Sequence, residues 1–264
     1  MRARFGLRSL ALGYLFVLLV VPVGMVFYRA FEHGFAAAWD AVTTPDALHA
    51  LQLTLLMVVV AVPLNTIFGI AAALLIVRKR FRGKAVVEAL IDVPFAVSPV
   101  VVGLALILVY GRTGWLGDWL SQNGIRVIFS TPGMILATIF VSLPFVVREV
   151  APVLREIGTE QEEAARTLGA SPWQTFSRIT LPAIRWGVGY GVVLTTARAV
   201  GEFGAVSVVS GRLAGQTETL TLFVQDHFER FDLAGAYAAS VVLAAIALST
   251  VAVMTLLQRR RRTA

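Results

Sequence analysis

The chain has 264 residues, a formal net charge of +7 and no cysteine, and 57% of its residues are hydrophobic. A soluble domain averages about 45–50% apolar residues. The excess here lies in long blocks, so the composition excludes an ordinary soluble domain and indicates a polytopic membrane protein. The missing thiols exclude a disulfide framework and thiolate metal sites, and His33, His49 and His227 do not have the spacing of metal ligands.

Six apolar runs of roughly 20 residues predict six membrane-spanning helices. In chain order they are Leu10–Phe27, Leu53–Val77, Leu90–Tyr110, Pro132–Val147, Ile184–Val209 and Gly235–Leu257. The first run is longer than the apolar part of a signal peptide, which is typically about 7–15 residues, so we expect an uncleaved span. The predicted fold class is all-α: a polytopic integral membrane protein with a single domain over residues 1–264.

The lysines and arginines between the runs predict the orientation of the chain. If both ends lie on one side, that side holds 17 basic residues against 5 on the other, and Arg198 falls inside a span. The positive-inside rule therefore predicts that both termini are cytoplasmic. The positive charge then reports topology, and a nucleic-acid role is disfavoured because no binding module accompanies it.

The longest predicted cytoplasmic segment, about residues 149–183, has the pattern of two short helices joined by a tight turn. Thr159 and Glu162 fit a capping box at the start of the first helix, and Gly169 suits the left-handed position that ends it. Ser171–Gln174 predicts a second capping box, with proline at the first helical position. The local pattern alone is also compatible with a loop that folds against its own membrane ends.

The same segment carries a motif of seven fixed residues. They are Glu163, Ala164, Ala165, Gly169, Ile179, Leu181 and Pro182. The residue types and both spacings resemble the "EAA" loop of ABC importer permeases, and the loop precedes the penultimate span, as it does in that family. The resemblance implies a type I ABC importer permease fold, in which this loop is the coupling helix that docks in a cleft of a cytoplasmic ATPase subunit. We expect Leu181-Pro182 to end the second helix.

Three further stretches resemble one particular group of ABC importer permeases. Ile91–Gly103, Leu143–Val150 and Gly201–Val206 are similar to the sulfate/thiosulfate importer permeases, most of all to the W-type subunit. Molybdate permeases share the Gly-Glu-Phe-Gly stretch that begins at Gly201, so a molybdate or tungstate permease is the alternative. The residues do not separate sulfate from thiosulfate.

The resemblance implies an assembly of several chains in the bacterial cell membrane. Two cytoplasmic ATPase subunits bind ATP and Mg²⁺, a second sulfate permease subunit completes the pathway, and an extracytoplasmic sulfate-binding protein delivers the anion. This chain is then a non-catalytic permease that binds no cofactor itself. Its nearest fragment to a phosphate-binding loop, Gly83-Lys84-Ala85, lacks the upstream glycine and the hydroxyl residue. The basic residues of Arg78–Lys84 anchor the topology and offer a second role as a surface for anionic lipid or the ATPase.

Three charged residues within or beside the predicted spans need an explanation, because a charge at the bilayer centre is costly. Arg198 and Glu202 are four residues apart and share a helix face. They form either a structural ion pair, which we favour, or part of the path of the anion. Asp92 is either a structural cap that faces the cytoplasm or a contact with the pathway.

Two other classes of protein compete with an ABC permease. An ion-coupled secondary transporter would carry its own coupling-ion site at the midplane, and Glu202 is the main intramembrane acid available for it. A membrane enzyme would need a nucleophile–base pair or a metal cluster, and the spans contain neither. ATP dependence of transport separates the first two classes.

Overall fold

The computed structural model describes residue 10 and residues 12–263, with side chains as far as residue 256. Every regular element in these residues is helical, which confirms the predicted all-α class. Arg2, Arg4 and Arg8, which contribute to the topology prediction, lie outside the described residues.

The helices of this part of the chain are numbered in order. They are α1 Leu12–Phe31, α2 Phe35–Val42, α3 Pro45–Arg78, α4 Lys84–Ala96, α5 Pro99–Tyr110, α6 Gly117–Gln122, α7 Thr131–Ser142, α8 Pro144–Ile157, α9 Glu160–Thr167, α10 Pro172–Thr175, α11 Leu181–Val200, α12 Val206–Val209, α13 Leu220–Glu229 and α14 Leu233–Thr263. Two π-helical turns interrupt the α geometry, Phe16–Val20 within α1 and Phe176–Thr180 between α10 and α11.

Four of these segments are long and apolar enough to cross a membrane: α1, α3, the consecutive pair α7–α8, and α14. The pair α4–α5 becomes a fifth if its two halves form one span. α11, which occupies the predicted fifth span, contains Arg185, Arg198 and several glycines. It packs among α3, α8 and α14, so neighbouring helices rather than lipid surround much of it. The count of six spans, which requires α11, stays a prediction.

A sharp bend divides the third predicted span. α4 and α5 meet at an angle of 113°, so the prediction of one continuous helix over Leu90–Tyr110 is wrong. The cause is Pro99, whose ring disfavours helical geometry at the preceding residue. Ser98 accordingly has a ψ of 135° and lies outside both helices. Pro99 has no N–H to donate, which suits the first position of the new helix.

The fifth predicted span, Ile184–Val209, is not one helix either. α11 ends just before Gly201, a residue type that weakens helices. Glu202 then folds back on the chain, and its Oε1 accepts a hydrogen bond from the backbone N–H of Ala205 at 2.8 Å. Its backbone carbonyl accepts from the hydroxyl of Thr221 at 2.9 Å. These bonds replace helical partners and allow the chain to break inside a buried region.

Three helices meet at one valine. Val146 of α8 is fully buried and lies between Gly69 of α3 and Gly191 of α11. A Cβ at position 69 would lie 2.5 Å from the Val146 Cβ, and one at position 191 would lie 2.8 Å from the Val146 Cα. Small residues permit such close approach of membrane helices. One turn earlier on α11, a Cβ at Gly187 would lie 2.9 Å from the backbone oxygen of Glu149, so the close approach continues along the helix pair.

We predict that Gly191→Ala destabilises the permease, because the new methyl group meets the backbone of Val146. Overpacking of this kind typically costs about 1–3 kcal/mol. The matched control is Gly24→Ala in α1, where nothing beyond the local helix backbone lies within 4 Å of the added Cβ. This control should be neutral or stabilising, since alanine favours a helix over glycine by about 1 kcal/mol. Thermal unfolding in detergent measures both, and equal midpoints for the two variants would show that the contact between Gly191 and Val146 does not require a glycine.

Candidate coupling loop and intramembrane charges

The motif loop forms a helix, a left-handed turn and a second helix start. Gly169 has a φ of 85° just after α9, the geometry that was predicted for it. Its N–H donates to the carbonyl of Arg166 at 3.0 Å, and the N–H of Ala170 donates to the carbonyl of Ala165 at 3.0 Å. Both bonds satisfy carbonyls that the helix end leaves free.

The second capping box is also present as predicted. The Ser171 hydroxyl accepts from the backbone N–H of Gln174 at 3.3 Å, and the Gln174 side chain accepts from the N–H of Ser171 at 2.8 Å. Pro172 follows directly as the first helical residue. The tight connection from Gly169 to α10 is therefore fixed by local chemistry alone.

The first predicted capping box is wrong. Thr159 makes no capping bond with its side chain, and its hydroxyl instead donates to Oε1 of Glu163 at 2.7 Å. Glu162 does not reach back to the helix start, because its side chain is buried beside Arg78, at the end of α3. A long-range ion pair has replaced the local cap.

The predicted end of the second helix at Leu181-Pro182 is wrong too. The π turn Phe176–Thr180 carries α10 directly into α11, and the N–H of Leu181 donates to the carbonyl of Phe176. Proline inside a regular helix lacks a donor and clashes with the carbonyl four residues earlier. The wider π turn removes that clash, so the helix passes through Pro182 and the loop is continuous with α11.

The loop presents an accessible surface of mixed character. Glu163, Ala164 and Gly169 are exposed, whereas Ala165 and Ile179 are half-buried. Two large apolar side chains also face solvent: Leu168 is 89% exposed and Trp173 is 72% exposed. Large apolar groups so exposed on an otherwise ordered loop are typical of a protein–protein contact.

The three stretches that resemble sulfate permeases converge on the bend between α4 and α5. Asp92 of the first stretch forms a two-bonded ion pair with Arg148 of the second, with 2.9 Å between Arg148 Nε and Asp92 Oδ1. The rings of Phe95 and Phe145 pack edge to face, with centroids 5.3 Å apart. Asp92 therefore joins α4 to α8 and is not a cap on its own helix.

The third stretch packs against the other side of the same bend. A Cβ at Gly204 would lie 2.9 Å from the Pro99 Cβ. A Cβ at Gly103 would lie 2.7 Å from Val208 and 2.9 Å from the carbonyl oxygen of Ala205. The second and third stretches thus pack against the first stretch around the bend, although the three are distant in sequence.

Arg198 and Glu202 form an ion pair within one turn of chain, with 2.6 Å between Nη1 and Oε2. The carboxylate side chain is 1% exposed and the arginine side chain 29% exposed. The other carboxylate oxygen accepts from the N–H of Ala205, so Glu202 also organises the break after α11. The pair lies inside one segment of this chain, and its role as structural ion pair or pathway contact stays a prediction.

One group of site residues was not found from the sequence. Arg78 donates to the Glu162 carboxylate and to the backbone carbonyls of Leu154 and Gly158. Arg78 appears in the sequence as the first of several basic residues in a predicted topology anchor, and its partner lies 84 positions away. No local spacing connects the two. In the described part of the chain, no three His, Cys, Asp or Glu side chains are grouped so that they could hold a metal ion.

Apolar spans, an all-α fold and a loop with accessible apolar side chains are typical of a membrane permease that works with a partner protein. Residues 65–263 match the family described as "Binding-protein-dependent transport system inner membrane component". Since the match covers most of the chain, the chain belongs to this family. It is a multi-pass permease component of an ABC importer, and ATP hydrolysis in such systems resides in a separate subunit.

Individual relatives and structures agree with this. The "Sulfate transport system permease protein CysW" of Synechocystis sp. is 50% identical over 259 residues, which are 98% of this chain and 94% of the relative. The "Sulfate transport system permease protein CysT" of Escherichia coli K12 is 39% identical, over 95% of this chain and 92% of the relative. A chain of a bacterial alginate ABC transporter, solved in complex with an alginate pentasaccharide-bound periplasmic protein, has a TM-score of 0.79 at 19% identity, covering 98% and 94%. The last likeness confirms the importer permease fold.

We predict that Arg198 and Glu202, the two members of this ion pair, respond differently to substitution. Arg198→Ala leaves a buried carboxylate without its counter-charge, and breaking a buried pair from one side costs about 3–5 kcal/mol. Glu202→Gln keeps an acceptor for the N–H of Ala205 and leaves the more exposed Arg198 able to be hydrated. The yield of assembled permease should therefore fall most for Arg198→Ala, less for Glu202→Gln, and recover partly when both are combined. A well-assembled Arg198→Ala complex that hydrolyses ATP but does not transport would instead assign Arg198 to the anion path.

Proposed function

We propose that this chain is the membrane-spanning permease subunit of an ATP-driven importer that carries sulfate or thiosulfate into the cytoplasm. The observation that carries the proposal is the 50% identity, over almost the full length of both chains, with a protein named a sulfate transport permease. The convergence of Asp92, Arg148, Phe95 and Phe145 at the α4–α5 bend supports it, because the sulfate-like stretches form one structural unit.

The proposed partners follow from the family and from the surface of the loop. Two ATPase subunits, which bind ATP and Mg²⁺, dock through the coupling loop, and Glu163, Ala164, Ala165 and Gly169 lie at this contact. The exposed side chains of Leu168 and Trp173 supply the apolar part of the same contact.

Two further protein partners complete the proposed importer. A second sulfate permease forms the other half of the pathway, in keeping with the pair of relatives that carry the names CysW and CysT. An extracytoplasmic sulfate-binding protein delivers the anion, as the family description implies. In this arrangement the chain crosses the membrane six times, both termini are cytoplasmic, and lipid covers the outer faces of α1 and α14, which are largely exposed.

Uptake by reconstituted vesicles tests this function. The complex of both permeases, the ATPase and the binding protein is reconstituted in proteoliposomes. ATP is supplied on the side of the membrane where the ATPase subunits lie. Labelled sulfate should accumulate only when ATP is hydrolysed, and unlabelled thiosulfate should compete with it. Competition by molybdate in place of thiosulfate would favour the alternative substrate. Accumulation driven by an ion gradient without ATP would contradict the proposal.

The coupling turn yields a further prediction. Gly169 has a left-handed backbone with open space around it, so a substitution there acts through backbone strain rather than through a clash. Valine is strongly disfavoured at positive φ, whereas asparagine tolerates it. We expect Gly169→Val to insert normally but to lose most of its co-purifying ATPase subunit, and Gly169→Asn to retain it. Normal ATPase binding by Gly169→Val would show that this turn does not shape the docking surface.

The proposed topology also yields a prediction, which the absence of cysteine makes simple to test. Ser171→Cys lies in the proposed cytoplasmic loop, and Phe231→Cys lies at an 87% exposed position in the proposed external loop between α13 and α14. A membrane-impermeant thiol reagent added outside intact cells should label only the second variant. Labelling of Ser171→Cys from outside would overturn the proposed orientation.

A further inference from the structure

A buried cluster of polar side chains joins the coupling loop to the body of the permease. Arg78, Glu162 and Thr180 form it, and we refer to it as the clasp. One carboxylate oxygen of Glu162 accepts bonds from Arg78 Nη2 at 3.1 Å, from Arg78 Nε at 3.3 Å and from the Thr180 hydroxyl at 2.9 Å. The clasp therefore connects α3, α9 and the π turn that leads into α11.

Arg78 also binds the end of a fourth element. Its Nη1 donates to the carbonyl of Leu154 at 2.9 Å, and its Nη2 donates to the carbonyl of Gly158 at 2.7 Å. Carbonyls at the C-terminal end of a helix have no partner within the helix, and a cation there is favoured by the helix dipole. One guanidinium thus caps α8 and holds α9 at the same time.

The charged side chains of the clasp are shielded from water, so they depend on their ion pair and hydrogen bonds. The side chains of Arg78 and Glu162 are 12% and 9% exposed. Charges so buried are tolerated only when they are paired and hydrogen-bonded. Lysine could keep the positive charge at position 78, but it lacks the planar array of donors that reaches a carboxylate and two carbonyls together.

The position of the clasp in the chain points to its role. The loop that bears Leu168 and Trp173 is attached to α11 by a continuous helix, but its other end meets α8 at Gly158, where φ is 64°. A turn of this kind provides little stiffness by itself. The clasp bridges it, because Arg78 binds the Gly158 carbonyl and the first turn of α9 together.

We propose that Arg78 and Glu162 are positioning residues that transmit movement of the ATPase-bound loop to α3 and α8, and so couple ATP hydrolysis to opening of the anion pathway. This inference rests on the proposed function, since it requires that the loop docks on an ATPase. Most of the proposed docking residues are exposed, whereas the side chains of the clasp are largely buried. Binding of the ATPase and transmission of its movement are therefore separable.

The test uses Arg78→Lys in the complete reconstituted complex, with Arg80→Lys as the matched control on an exposed neighbour. Three quantities are measured: ATPase subunit bound per permease, ATP hydrolysed, and sulfate transported. We expect Arg78→Lys to bind the ATPase and hydrolyse ATP, while sulfate transported per ATP falls at least about fivefold, the lower end of typical coupling effects. The control should keep the ratio of the unmodified complex.

A second variant distinguishes a loss of coupling from a folding defect of Arg78→Lys. Glu162→Gln keeps an acceptor for Arg78 and Thr180 but removes the charge. Its transport per ATP should therefore lie between that of the unmodified complex and that of Arg78→Lys. The matched control, Glu160→Gln on the exposed face of α9, should have no effect. An unchanged ratio in both clasp variants would overturn the inference. Loss of ATPase binding in proportion to lost transport would also overturn it, because the clasp would then only shape the docking surface. Failure of the unmodified complex to couple ATP to sulfate uptake would refute the proposed function instead.

Discussion

The close contact of three helices at Val146 is the constraint on which the rest of the structure depends. Gly69 and Gly191 have no side chain to keep α3 and α11 away from α8, so the three backbones meet around one fully buried valine. Dispersion contacts and small residues stabilise such packing in a membrane, where the hydrophobic effect between helices is weak. Because α8 leads into the motif loop and α11 continues from it, this junction fixes the relative position of the two helices that flank the loop.

Local chemistry predicted the parts of the loop that depend on local bonds. The left-handed Gly169 and the capping box of Ser171 and Gln174 need only neighbouring residues, and both are present. The all-α class follows equally from apolar runs that can be read along the chain. Where the sequence resembled a known family over the whole chain, the family was confirmed.

The predictions that failed involve partners distant in sequence or a proline whose effect depends on context. Glu162 fits a local cap but binds Arg78, 84 residues away, because a buried ion pair outweighs one exposed capping bond. Pro99 breaks its helix by 113°, whereas Pro182 stays within a helix that widens into a π turn. Sequence spacing does not distinguish these outcomes, since they depend on what packs beside each proline.

If the clasp transmits movement, the motif loop and the end of α3 at Arg78 move as one rigid body. Distance measurement between two spin labels tests it directly, with Glu160→Cys on the exposed face of α9 and Arg80→Cys beyond the end of α3, in the assembled importer. Because the chain has no native cysteine, only the two introduced cysteines of this subunit carry spin labels. We expect the same distance distribution before and after ATP binding, in a labelled complex shown to hydrolyse ATP. A shift of several ångströms between the two states would contradict it, because the loop would then move independently of the helices that it is meant to drive.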